Sequence, residues 1–165
     1  MSAIVRPART ADVRAIKELV RIYTADRRLL SKATVTLYED VQEFLVVEVD
    51  GAVVGCGALH VLWEDLAEIR TLAVDLEHRG TGLGGLLLNA LLARASDVGV
   101  QRLFCLTFET EFFARFGFVE IDGAPVEPAV FEQLLQSYDE GVAEFLDLER
   151  VKPNTLGNHR MLRIL

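Results

Sequence analysis

Apolar and polar positions along the 165-residue chain alternate between a period of two and a period near 3.6. "AIVRP", residues 3–7, predicts a short strand ended by Pro7, which has no N–H to give to a ladder. Val13, Ile16, Val20 and Tyr23, with Leu19 beside them, then keep helical spacing behind Thr10, which offers an N-cap. After the loop "TADRRLLSKAT", a second helix is predicted through "TLYEDVQEF". "FLVVEVDGAVVGCGALHVL" is the clearest hairpin, because two β-branched runs flank Asp50-Gly51, a two-residue turn signal. "LAEIRTLAV" alternates as the next strand, and a helix is predicted from about Thr81 to Ser96. "QRLFCLTF" predicts a further strand, "ETEFFARFGF" a short helix stopped near Gly117, and "FVEI" another strand. "EPAVFEQLLQSY" places Pro128 at a helix start, and "HRMLRIL" closes the chain as a strand. There is no internal repeat or interdomain linker. The expected fold is one α/β domain over residues 1–165, a single sheet with helices on both faces.

The least economical stretch is "RGTGLGG", between the strand at 66–74 and the apolar run "LLLNALLARA". Each glycine at a helix start costs about 1 kcal/mol relative to alanine. Four of them, Gly80, Gly82, Gly84 and Gly85, need an offsetting benefit. Gly80, Gly82 and Gly85 fit G-x-G-x-x-G, but in a dinucleotide fold that pattern follows the first strand almost directly. Here "DLEHR" intervenes and a hairpin comes before it. A Walker A loop would continue with Gly-Lys-Ser/Thr, which is absent. A glycine-rich turn without a ligand stays open beside a third reading. In that reading an arginine opens the loop and a long helix follows, so that backbone N–H groups face an anion such as a diphosphate.

Composition narrows the partners. A net charge of −8 excludes a broad basic face for nucleic acid. The longest charge-free apolar stretch, between Arg79 and Arg94, is too short to span a bilayer and is broken by glycines. The N-terminus has no apolar leader segment, so a cytoplasmic enzyme is expected. Cys56 and Cys105 both lie in strand-like runs as expected buried thiols, and the three histidines are scattered, so no metal site is expected.

Arg79-Gly80-Thr81-Gly82-Leu83-Gly84 resembles the (Q/R)-x-x-G-x-(G/A) acyl-CoA motif of the GCN5-related N-acetyltransferases. The strand–helix–helix–hairpin opening is similar to that fold, and "EFFARFGF" is similar to the family's closing aromatic helix. "LYEDVQEF", "GCGALH", "LAEIRTLAV", "LTFETEFFARFGF" and "KPNTLGNHRM" together resemble the short, stand-alone N-acetylglutamate synthases of bacterial arginine biosynthesis. The resemblance implies a mixed, mostly antiparallel sheet that splays open, with acetyl-CoA wedged between the fourth and fifth strands. It implies pantetheine contacts at Leu72, Ala73 and Val74, and a diphosphate on Arg79, Gly80, Thr81, Gly82, Leu83, Gly84 and Gly85. It further implies a small amino-acid acceptor, glutamate or glutamine. Acetyltransferases of this fold often dimerise.

Acyl transfer needs an uncharged amine, a proton acceptor and a leaving thiolate. Alternation puts Glu68, Arg70, Leu72 and Val74 on one face of the fourth strand. Glu68, an acid in an apolar strand, is the expected base, with a solvated strand-end carboxylate as the plain alternative. Arg70 either pairs with Glu68 or grips a substrate carboxylate. Lys32 is the preferred carboxylate contact, with Arg28 from the same basic loop and Thr107 as a weaker candidate. The family's tyrosine acid falls on Phe113, which cannot donate a proton. Phe113 is therefore expected to wall the cofactor or fill core, and no general acid is assigned. Two rivals remain beside amino-acid acetylation. One is acetylation of another small amine or a peptide N-terminus; the other is a non-catalytic acetyl-CoA-sensing module.

Overall fold

The computed structural model describes residues 2–24, 32–146 and 158–165. Its seven strands form one sheet in the order β1-β2-β3-β4-β5-β7-β6. β1 spans Ala3–Pro7, β2 Phe44–Val49, β3 Ala52–Trp63, β4 Leu66–Val74, β5 Arg102–Thr107, β6 Val119–Ile121 and β7 His159–Ile164. Every pairing is antiparallel except β4 with β5. The β2–β3 hairpin turns on Asp50 at φ 51° and Gly51 at φ 83°. Two left-handed residues in succession are what a twist-matched two-residue turn requires.

Helices cover both faces. α3, Leu83–Val98, buries Leu87, Leu88 and Leu91 completely against Leu45, Val47, Ala67, Ile69 and Leu103. Each such leucine stabilises the fold by about 1.5–3 kcal/mol relative to an exposed one. α1, Val13–Thr24, and α2, Thr34–Glu39, pack Val13, Ile16, Val20 and Leu37 on the opposite face, over Phe44, Val46, Cys56 and Ala73. Alternate residues of β2 thus serve the two cores, as the pleat demands. A third cluster joins Leu134 of α5, Pro128–Leu134, to Val142 and Phe145 of α6, Glu140–Phe145. The Phe145 ring stacks on Phe104 of β5 with centroids 4.1 Å apart. α4 spans Thr110–Ala114.

Several boundaries differ from expectation. The chain enters α1 through a 3₁₀ turn at Thr10–Asp12, where the Asp12 carboxylate accepts the Arg9 N–H at 2.7 Å; Asp12, not Thr10, shapes the entry. The second helix starts earlier than read and passes into a 3₁₀ turn at Val41–Glu43. α3 begins at Leu83 because Gly82, at φ 87°, is its left-handed N-cap. α6 has no counterpart in the sequence reading.

Candidate active site

The parallel pair that joins the two halves of the sheet is short. β4 and β5 pair only at Leu66–Arg102, Ala67–Leu103 and Glu68–Phe104. Past Glu68 the two strands part, and the gap widens into a cleft of about 1220 Å³. Among the described residues the backbone of β4 beyond Glu68 therefore has no strand on its β5 side, and it lines the cleft as far as Val74.

A bulge shapes that wall. Between Cys56 and Ala58 the register to β4 jumps from Ala73 to Arg70, so Gly57 faces both Thr71 and Leu72. Thr71 sits at φ 57°, a costly conformation for a β-branched residue. The extra residue reverses the alternation. Glu68 and Arg70 lie on the α6 side, whereas Leu72 and Val74 join Ala67 and Ile69 against the α3 core. The single-face expectation for these four is corrected accordingly. A Cβ on Gly57 would lie 2.8 Å from Leu91 and 2.9 Å from Leu72, so the bulge needs glycine opposite it.

At the wide end stands the glycine loop. Gly80 at φ 76° and Gly82 at φ 87° have open space where a Cβ would be, so the backbone path is what selects glycine there. Gly85 answers to packing, since its Cβ would meet the Phe116 ring at 2.9 Å. No side chain caps α3, and the bond from Leu86 N–H to the Gly82 carbonyl (3.1 Å) is where its ladder starts. The N–H groups of Leu83, Gly84 and Gly85 precede that ladder, at the mouth of the cleft. Arg79 lies over the Tyr23 ring at 6.0 Å, and Arg115 adds a second cation to the lining. This donor set, uncapped and flanked by guanidinium groups, suits the diphosphate of acetyl-CoA. Thr81 donates its hydroxyl to the His78 carbonyl, which braces the loop. The Val74 carbonyl accepts the Tyr23 hydroxyl at 2.6 Å. Phe113 is buried in the α3 core, edge-on to Phe112 and Phe118, and reaches the cleft with one side.

The apex holds a buried charge network. Glu68 is 4% exposed. Its Oε1 accepts Arg70 Nε–H at 2.8 Å and lies 2.6 Å from Nη2. On its far side Arg70 donates Nη1 and Nη2 to the two oxygens of Asp139, at 2.9 and 2.8 Å. Burial pushes the Glu68 carboxyl up, with Arg70 opposing. Burial also works against charge on Asp139, but the Arg70 hydrogen bonds prevail and hold it well below the usual carboxylate range. His60, opposite Glu68 on β3, hydrogen-bonds Glu43 at 3.0 Å and comes within 4.0 Å of Asp139. Arg70 thus directs donors to carboxylates on both sides and is 8% exposed. Of the two roles expected for Arg70, ion pairing with Glu68 is the one that these contacts display.

Lys32 and Thr107 both line the cleft; the Thr107 hydroxyl accepts the Glu109 N–H at 2.8 Å. Arg28 lies outside the described residues. Cys56 and Cys105 are buried free thiols, and burial pushes Cys56 up to about 12. The sequence reading missed Asp139, Gly141 and Glu144, which α6 brings to the cleft. Glu144 is pushed up to about 7 by burial and by the Glu68 charge, against a hydrogen bond from Asn158. Among the described residues no group of His, Cys, Asp and Glu could hold a metal, and no helix is long and apolar enough to cross a membrane.

Residues 14–118 match the Acetyltransferase (GNAT) family. An amino-acid acetyltransferase of Mycobacterium tuberculosis is 61% identical over 165 residues, covering 98% of this chain and 94% of that relative. An amino-acid acetyltransferase of Ralstonia nicotianae is 39% identical over 124 residues, 73% of this chain but 28% of that longer relative. Among solved structures, a Mycobacterium tuberculosis protein in complex with CoA and NLQ superposes with a TM-score of 0.95 at 61% identity, over 98% of this chain and 99% of that one. N-acetylglutamate synthase from Neisseria gonorrhoeae, complexed with coenzyme A and N-acetyl-glutamate, gives a TM-score of 0.79 at 26% identity. That match covers all of this chain and 35% of the synthase.

Proposed function

The chain belongs to the Acetyltransferase (GNAT) family and is an acetyl-CoA-dependent acetyltransferase, and from that premise we propose that it acetylates the α-amino group of L-glutamate or L-glutamine, opening arginine biosynthesis. The observation that carries this reading is the parting of β4 and β5 after Glu68. One cleft thereby has a diphosphate cradle at its wide end, a buried carboxyl at its apex, and Lys32 on its rim. The relatives named for amino-acid acetylation, and the synthase solved with N-acetyl-glutamate, support the acceptor class.

Acetyl-CoA supplies an acyl carbon already activated as a thioester. The chain's residues do the rest. Arg79, Gly80, Thr81, Gly82, Leu83, Gly84 and Gly85 hold the diphosphate through backbone N–H groups and charge. Leu72, Ala73 and Val74 line the cleft along the path of the pantetheine arm, and Phe113 with Phe112 walls it. Glu68 takes a proton from the acceptor's ammonium group, its affinity for that proton raised by burial. The freed amine forms the C–N bond as the C–S bond breaks. A thiol has a pKa near 8.5, so the thiolate leaves tolerably at neutral pH without a tyrosine acid, and it takes up the second proton that the nitrogen sheds on becoming an amide. Lys32, with Arg28 and Thr107, receives the acceptor's carboxylate groups.

Asp139, Glu140 and Glu144 also line the acceptor end. That concentration of carboxylates favours a second reading, in which the acceptor is another small amine without an acidic side chain. A thiol-release assay over a panel of amines decides between them. Turnover is expected with glutamate or glutamine first, with aspartate slower. Faster acetylation of a polyamine or a peptide N-terminus would displace the amino-acid reading, and no thiol release with any amine would leave only acetyl-CoA binding.

A further inference from the structure

Asp139 is hydrogen-bonded to Arg70, which is in turn hydrogen-bonded to Glu68. One guanidinium lies between two carboxylates, with Glu68 at 2.8 and 2.6 Å on one side and Asp139 at 2.8 and 2.9 Å on the other. The same Asp139 caps α6, its Oδ1 accepting the Val142 N–H at 3.0 Å. The contact is tight: a Cβ on Gly141 would fall 2.3 Å from Arg70 Nη2. This is more than a helix cap requires, since an N-cap needs only one short polar side chain.

We infer that Asp139 is a positioning residue that sets the proton affinity of Glu68 by sharing the charge of Arg70. The inference rests on Glu68 being the base. Facing Glu68 alone, Arg70 would hold that carboxyl ionised and make it a weak acceptor of protons. Asp139 takes two of the guanidinium donors and places a second negative charge 2.8 Å beyond them. Both effects return proton affinity to Glu68. The other groups facing Glu68 do not duplicate this. His60 on β3, when protonated, acts in the opposite sense, and Cys105 on β5 stays a neutral thiol because burial raises it. Glu144, further along α6, repels a Glu68 charge but makes no bond to Arg70 among the described contacts.

The test is the pH dependence of kcat, by thiol release at saturating acetyl-CoA and acceptor, for the unaltered enzyme and for Glu68→Gln, Asp139→Asn and Asp139→Ser. Asparagine and serine are both good N-caps, so α6 keeps its start in either variant. The acidic limb is expected to vanish in Glu68→Gln and to move to lower pH in both Asp139 variants. Plateau kcat in those variants falls about three- to tenfold, as expected for a weaker base, while the KM for acetyl-CoA is unchanged. A limb that vanishes in Glu68→Gln but stays in place in both Asp139 variants overturns the inference and leaves Glu68 as the base. A limb that persists in Glu68→Gln overturns the assignment of Glu68 itself; its loss in Glu144→Gln would then move the base to Glu144.

Discussion

Replacing Gly141 by alanine sets two effects of opposite sign against each other. Glycine lies in the first turn of α6, where alanine would favour the helix by at most about 1 kcal/mol. If nothing opposed the methyl group, Gly141→Ala would stabilise the protein. The structure opposes it strongly: the new Cβ would lie 2.3 Å from Arg70 Nη2, 2.7 Å from Cζ and 3.0 Å from Asp139 Oδ1. Arginine tips usually give way at little cost. This one is buried and held between Glu68 and Asp139, so withdrawal breaks at least one charge-assisted hydrogen bond. Such a bond contributes about 1.5–3 kcal/mol. The difference is a net loss of about 0.5–2 kcal/mol, or a fall in Tm of about 1–8 °C for a domain of this size. Urea unfolding followed by circular dichroism measures the first quantity, and kcat measured alongside should fall because the methyl group parts Arg70 from Asp139 and leaves its charge to Glu68 alone. A variant at least as stable as the parent, with unchanged kcat, would refute the reasoning. It would mean that Arg70 moves freely and that the Glu68–Arg70–Asp139 geometry is not tight.

Gly82→Asp is expected to abolish acetyl-CoA binding by calorimetry in a protein that still folds. Aspartate tolerates left-handed backbone better than most residues but sets a carboxylate against the diphosphate, and Gly82→Asn, which lacks the charge, should bind measurably. Lys32→Ala should raise the acceptor KM about ten- to a hundredfold, the worth of one charge-assisted hydrogen bond, with acetyl-CoA affinity nearly intact in the same assay. Glu144→Gln tests the carboxyl pushed up to about 7. Its folded-state pKa exceeds its unfolded one, so the folded state binds the extra proton and stability falls as pH rises from about 4.5 to 7. The variant should therefore be more stable than the parent at pH 8, by on the order of 1–3 kcal/mol, and equal to it at pH 4; equal melting temperatures at both would show that Glu144 is solvated.

Much of the fold was legible because the relevant signals are local. The Asp50-Gly51 turn, the apolar run of α3 and the glycines before it each fix an element from a few adjacent residues. The strand parity of β4 failed for a reason that no single strand displays. The bulge at Thr71 and Leu72 exists because Gly57 on the neighbouring strand leaves room for it, so its cause lies in "GCG" and its effect in "RTLAV". α6 was missed for a different reason. Its apolar positions Val142, Phe145 and Leu146 are too few to show a period, and Gly141 in the first turn reads as a breaker. That glycine is explained only by Arg70, a residue 71 positions earlier, whose guanidinium occupies the space of the absent Cβ.

The site was more legible than its environment, and topology accounts for the difference. α3 leaves the carboxyl end of β4 and returns the chain to β5, which runs parallel to β4. The glycine loop, the end of β4 and Thr107 at the end of β5 are therefore brought together at the carboxyl ends of the two parallel strands by connectivity, where open α/β sheets bind their ligands. Any sequence that places a glycine-rich helix start between two such strands announces that place. What charges that place carries is not set by connectivity. Glu68 titrates according to how Arg70 divides its donors, and that division depends on α6, which arrives from the far end of the chain. The place of Glu68 at the cleft can thus be read from the strand that bears it. Its proton affinity belongs to the packed molecule, and here it passes through one guanidinium shared between two carboxylates.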